Sequence, residues 1–108
     1  LNLDNGRRGT EQVIPLAWIN DVRSGDHGLF NAASRTTLPL GRYRNQFWIE
    51  DASAPNVMCR GVFGQLIYIA PDDNMVAVKL SSWPEFLNQT HSLNTQAALR
   101  EIARVYRA

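Results

Sequence analysis

One cysteine among 108 residues, Cys59, cannot close an internal disulfide, so the small secreted scaffolds stapled by cystines are excluded. Lysine is equally scarce, with Lys79 standing alone beside ten arginines. Ten acidic residues offset these cations to leave a formal net charge of +1, and no global field gathers nucleic acid or an anionic membrane surface. Nucleic acid is therefore not an expected partner. Long apolar runs are missing too. The longest apolar run free of charge, Val62 to Pro71, is broken by Gly64 and Gln65 and falls far short of the roughly 20 residues a membrane helix needs. Two histidines, His27 and His91, lack the HxxxH or HExxH spacing of a metal site, and both read as surface residues; no metal and no cofactor is expected. The chain opens on Leu1 without a basic n-region or an apolar h-region, which suggests a piece cut from something longer and leaves cytoplasm and periplasm both open.

What is present is ordinary globular material. Hydrophobic residues make up 44% and charged ones 19%, enough for a modest core in a single unit spanning 1–108. Residues 1–12, with Gly6 and Gly9 among polar neighbours, read as a frayed end and a turn. Pro15 sits where a first helical position tolerates it, and Leu16, Ile19 and Val22 follow at helical spacing, predicting a short helix over about 15–23. Residues 24–41 show no sustained period and are expected to form a long loop. Tyr43, Phe47, Trp48 and Ile49 predict a strand over about 43–50, Val62 to Ala70 a second, and Met75 to Leu80 a third, the last two joined by the Pro71-Asp72-Asp73-Asn74 turn. Trp83-Pro84 ends the third strand. Leu99, Ile102, Val105 and Tyr106 form the apolar stripe of a helix over about 92–107 that should pack on the sheet. The expected class is α+β, with about three antiparallel strands between a short N-terminal and a longer C-terminal helix.

Chemistry is thin on this chain. Cys59 beside Arg60 lacks a histidine to activate it and reads as a structural cysteine. Glu50 and Asp51 are adjacent at a strand end, point to different sides, and read as solvated turn residues. The most informative feature is Gly61-Val62-Phe63-Gly64, because glycines in a strand pattern mark a bulge or the close approach of another backbone or a ligand. An edge bulge and an exposed backbone donor for a substrate carbonyl are both compatible with it.

Three segments in order carry a resemblance: Tyr43 to Ile49, Gly61 to Pro71, and Val76 to Pro84 with its Lys79-Leu80-Ser81-Ser82-Trp83-Pro84 end. They resemble the carboxy-terminal part of serine hydrolases of the β-lactamase fold in the class C-like branch, above all the 6-aminohexanoate-dimer (nylon-oligomer) hydrolases and related esterases. Val13 to Ile19 is similar to a helix start of that family. The resemblance implies an acyl-serine mechanism with a Ser-x-x-Lys nucleophile, which this chain lacks, so the chain alone should be inactive. Tyr43-Arg44-Asn45 matches the Tyr-x-Asn string, but lies in the segment just before the third motif and is not taken as the catalytic tyrosine. Gly61-Val62-Phe63-Gly64 stands where lactamases carry Lys-Thr-Gly. By resemblance, the Val62 N–H is one of two oxyanion-hole donors and Gly61, Phe63 and Gly64 line the substrate, an ester or small linear amide. The missing lysine argues against penicillin-type substrates.

The implied partners are that small substrate and the missing N-terminal part of the same domain. A different class of function is a non-catalytic binding or assembly module, in which an exposed hairpin edge pairs with another sheet or with a second copy.

Overall fold

The computed structural model describes residues 4–25 and 32–107. His27 lies outside the described residues. A two-residue ladder of β1 (Arg7–Arg8) and β2 (Glu11–Gln12) opens the chain, followed by α1 (Leu16–Ser24). Pro15 caps α1 as the expected helix start, and Gly25 ends it at φ 57°. A side chain at position 25 would bring its Cβ to 2.4 Å from the Cβ of Arg42, so glycine there serves close packing as well as the left-handed turn.

The class is α+β as expected, but the strand count is not. Five strands form one antiparallel sheet in the order β3 (Arg42–Arg44), β4 (Phe47–Ile49), β5 (Val57–Arg60), β6 (Leu66–Ala70) and β7 (Met75–Lys79). The expected strand over 43–50 is a hairpin, because Asn45 and Gln46 both take positive φ (51° and 69°) and reverse the chain in two residues. The expected strand over 62–70 begins only at Leu66. Val57–Arg60 supplies a strand of its own, paired Val57 to Ile69 and Arg60 to Leu66, with residues 61–65 as the connection. The expected loop over 24–41 contains a short helix, α2 (Ala32–Thr37), that delivers Leu38 into the core.

Side chains alternate along β6 and divide the core in two. Leu66, Tyr68 and Ala70 join Met58, Leu38 and Leu99 on one face, which α3 (Gln89–Arg107) covers. Ile69 joins Ile49, Val57 and Val22 on the other, where α1 packs. Tyr68 is fully buried and accepts a hydrogen bond at its hydroxyl from Asn56 Nδ2 at 3.0 Å; burial pushes its phenol above the ordinary value.

α3 begins three residues earlier than expected, since Asn88 Oδ1 accepts the His91 N–H at 2.9 Å and caps the first turn. Its buried stripe also differs. Gln96, Leu99 and Ala103 face the sheet, whereas Ile102, Val105 and Tyr106 are exposed. The helix is held in this rotation by charge pairs to the sheet: Arg100 to Glu50 at the end of β4, and Arg107 to Asp73 in the turn before β7. Glu50 is thus a largely buried anchor rather than a solvated turn residue, its side chain only 14% exposed. No helix among the described residues is long and apolar enough to cross a membrane.

Candidate functional site

The glycine-flanked segment is neither a bulge nor a strand. Val62–Gly64 forms a single 3₁₀ turn at the tip of the β5–β6 hairpin, with Phe63 at φ 57° and Gly64 at φ 86°. The chain following β7 folds back and clamps it. Phe63 N–H donates to the Phe86 carbonyl at 2.9 Å, and Trp83 N–H donates to the Phe63 carbonyl at 3.2 Å. Gly61 N–H donates to the Gln65 carbonyl at 2.9 Å. The Gln65 amide bridges to the Ser81 backbone from both ends, its Nε2 donating to the Ser81 carbonyl and its Oε1 accepting the Ser81 N–H at 3.1 Å.

Lys79, the lone lysine, completes the clamp. Its ammonium donates to the Gly64 carbonyl at 3.0 Å and lies 4.7 Å from the centre of the Trp83 ring. Trp83 also meets the His91 ring at 5.3 Å between centroids. The Trp83 indole closes over Gly64 so tightly that a Cβ there would stand 2.4 Å from ring atom Cε2. A side chain at 64 is excluded both by this ring and by the left-handed backbone.

The turn, the sheet end and the start of α3 enclose a cleft of about 380 Å³. Gly61, Val62 and Gly64 line it. Phe63 is not among the lining residues; its side chain is exposed and its backbone is engaged by Phe86 and Trp83. The bonds that shape the turn are donated by Gly61, Phe63 and Gln65, and Val62 is not among those donors. Apolar walls come from Trp48, Leu66, Trp83 and Leu87.

Arg60 lines the same cleft from the last position of β5. Its guanidinium stacks 5.0 Å from the centre of the Trp48 ring and donates to Ser92 Oγ at 3.4 Å. Burial lowers its pKa from the ordinary arginine value, which leaves it charged at neutral pH. Sequence reading passed over Arg60, Trp48 and Gln65, because their convergence depends on partners as distant as Ser81 and Ser92.

The arrangement offers backbone donors, a cation and aromatic walls. His91 lies on Trp83 and the Lys79 ammonium on a carbonyl. Tyr43 packs edge-on against Trp48 at 4.8 Å, a core contact. Cys59 is half-buried, and burial raises its thiol pKa away from nucleophilic character. Among the described residues no group of three or more His, Cys, Asp or Glu could hold a metal ion.

No family model matches the chain. Over 85 residues, 77% of its length, it is 31% identical to the 6-aminohexanoate-dimer hydrolase of Paenarthrobacter ureafaciens. The chain is related to a hydrolase. The match covers only 22% of that protein, so the chain spans about a fifth of the curated relative's length.

Proposed function

We propose that residues 1–108 are the C-terminal portion of a β-lactamase-like serine hydrolase that cleaves an ester or a small linear amide through an acyl-serine intermediate. The observation that carries this reading is the Val62–Gly64 turn, braced by residues 79–86 at the mouth of a cleft, in a chain related to a hydrolase. In the whole enzyme a serine from a Ser-x-x-Lys segment outside this chain attacks the acyl carbon, and its proton passes to a base that is also outside it. The carbonyl oxygen becomes an oxyanion, which the Val62 N–H and the amide of that serine stabilise. Collapse expels the alcohol or amine, which takes the proton back from the base, and water then attacks the acyl carbon, releasing the acid and returning a proton to the serine. What this chain contributes is a donor that is already rigid before charge develops, the condition under which such donors are most effective.

The test is a hybrid enzyme in which this chain replaces the matching segment of the 6-aminohexanoate-dimer hydrolase. It should hydrolyse a p-nitrophenyl ester and react with a fluorophosphonate probe, whereas residues 1–108 alone should do neither. Val62→Pro, which deletes the donor, should lower the hybrid's rate by ~10²–10³, while Val62→Ala keeps it. An unchanged rate in the proline variant overturns the oxyanion role.

A second reading is an assembly module, and β7 favours it. Among the described residues β7 pairs with β6 alone, and Val76, Val78 and Leu80 beside that edge are exposed. A partner strand would come from the remainder of the same domain or from a second copy. Sedimentation over a concentration series distinguishes them, since self-association is concentration-dependent in the chain alone and absent in the hybrid.

A further inference from the structure

We propose that the cleft beside the Val62–Gly64 turn binds a neutral, hydroxyl-rich ligand of monosaccharide size, and that Gln96 recognises it. As a substrate subsite this rests on the hydrolase reading and takes its ester arm, with the sugar as the alcohol half; as a binding site it stands on the cleft itself. Gln96 is the polar member of the row that α3 turns to the sheet, and only 4% of it is exposed. It lines the cleft, and among the described residues no hydrogen bond reaches its carboxamide. Buried amides in folded proteins are nearly always satisfied, because leaving one unpaired is costly. The partner of Gln96 therefore comes from the cleft.

Its neighbours define the chemistry of that partner. Ser92, Thr95 and Gln96 stand at i, i+3 and i+4 on one face of α3, and all three line the cleft. The Thr95 hydroxyl donates to the His91 carbonyl at 2.8 Å, so its oxygen offers lone pairs to a ligand. Ser92 Oγ accepts from Arg60 at 3.4 Å and keeps its own proton to give. The Gln96 carboxamide both gives and accepts. A row of this kind matches groups that also do both, as hydroxyls do. A carboxylate or phosphate only accepts, and would set its lone pairs against those of Thr95 Oγ1 and Gln96 Oε1. An ammonium only donates, and would meet Arg60, the one charged side chain among the described lining residues. A single amide supplies one donor and one acceptor site, whereas a sugar ring carries several around its edge. A flat aromatic ligand finds the indoles occupied, since Trp48 carries the Arg60 guanidinium and Trp83 carries Lys79 and His91. About 380 Å³ lies at the small end of ligand cavities, which suits a monosaccharide.

The experiment is equilibrium binding of the methyl glycosides of glucose, galactose and mannose to the 108-residue chain. Methoxytetrahydropyran supplies the same ring without its hydroxyls, and the methyl glycoside of glucuronate supplies an anionic one. Amide chemical shifts and the fluorescence of Trp48 and Trp83, which both line the cleft, follow its occupation. At least one neutral glycoside should bind about 10-fold or more tightly than methoxytetrahydropyran. Gln96→Leu should erase that difference and Thr95→Val should reduce it. Because the Gln96 amide has no partner to lose, Gln96→Leu should leave Tm unchanged or raise it; a fall in Tm assigns the residue to the fold and overturns its recognition role. Parity between all three glycosides and the bare ring overturns the proposal with no variant needed. So does a preference that survives Gln96→Leu, or tighter binding of the glucuronate glycoside than of every neutral one. Turnover of a p-nitrophenyl ester by the hybrid enzyme without glycoside binding removes this site alone, and glycoside binding without turnover removes the hydrolase reading alone.

Discussion

Replacing Gly64 by alanine isolates the contact that shapes the turn. Its backbone sits at φ 86°, where an L side chain costs about 1–2 kcal/mol. The added Cβ would also meet Trp83 at 2.4 Å from Cε2, 2.7 Å from Cδ2 and 2.8 Å from Nε1, so the ring must move. Displacing a packed side chain costs about 1–3 kcal/mol. Gly64→Ala should therefore destabilise the chain by about 2–5 kcal/mol, a drop of roughly 10–20 °C in Tm. Urea unfolding followed by circular dichroism gives the first figure and a thermal scan the second. A second background separates the two causes. In Trp83→Leu the clashing indole atoms are gone, and Gly64→Ala should there cost only the backbone part, about 1–2 kcal/mol. Equal costs in the two backgrounds would refute the steric argument, and a cost below about 0.5 kcal/mol in the unaltered chain would refute both parts.

Three further outcomes test the structure elsewhere. Leu99→Ala should cost about 2–5 kcal/mol by opening a cavity under α3, whereas Ile102→Ala should stay within about 0.5 kcal/mol, and the reverse order would place the helix in the wrong rotation. Tyr68 should titrate above the phenol value of 10.0 in a spectrophotometric titration, since burial is the larger influence on it. Because its folded pKa is raised, the stability it contributes is complete below 10.0 and is lost as pH climbs through the folded value; Tyr68→Phe should flatten that alkaline decline, and an unchanged decline would assign it to another group. Cys59 should react slowly with a thiol reagent at neutral pH and rapidly once urea unfolds the chain, and equal rates in both states would contradict its burial.

In the proposed hydrolase role the clamp would have a purpose that stability alone does not supply. Residues 80–86 add no strand to the sheet, yet they hydrogen-bond the turn's backbone and cover Gly64. A hairpin tip is ordinarily the least restrained part of a sheet. Here it is braced by a bidentate amide, a lysine and an indole, the bracing that the proposed oxyanion donor calls for.

Several elements were legible because their causes are local. Pro15 and the Leu16, Ile19, Val22 spacing announced α1 to within a residue, and the Pro71-Asp72-Asp73-Asn74 turn announced the β6–β7 hairpin. The β3–β4 hairpin stayed hidden because its reversal uses Asn45-Gln46, a pair without the glycine that usually marks positive φ. The α3 stripe was misjudged for another reason: Ile102, Val105 and Tyr106 are apolar enough to suggest a buried face, but Arg100 and Arg107 reach acids that set a different rotation. Val57–Arg60 was not expected as a strand because only its pairing partner, β6, reveals it as one.

By itself the sequence determined the α+β class, the two flanking helices, the special backbone at Gly61-Val62-Phe63-Gly64 and the resemblance built around it. These depend on residue type and short-range spacing, which the chain carries wherever it is placed. Only the tertiary structure decided that Val62 and Gly64 open on a cleft, that Trp83 and Lys79 lock the turn, and that Arg60 enters the cleft. Those facts join residues 60, 83 and 92, which lie in separate elements, and contact between them exists only once the β5–β6 hairpin, the return after β7 and the first turn of α3 have packed together.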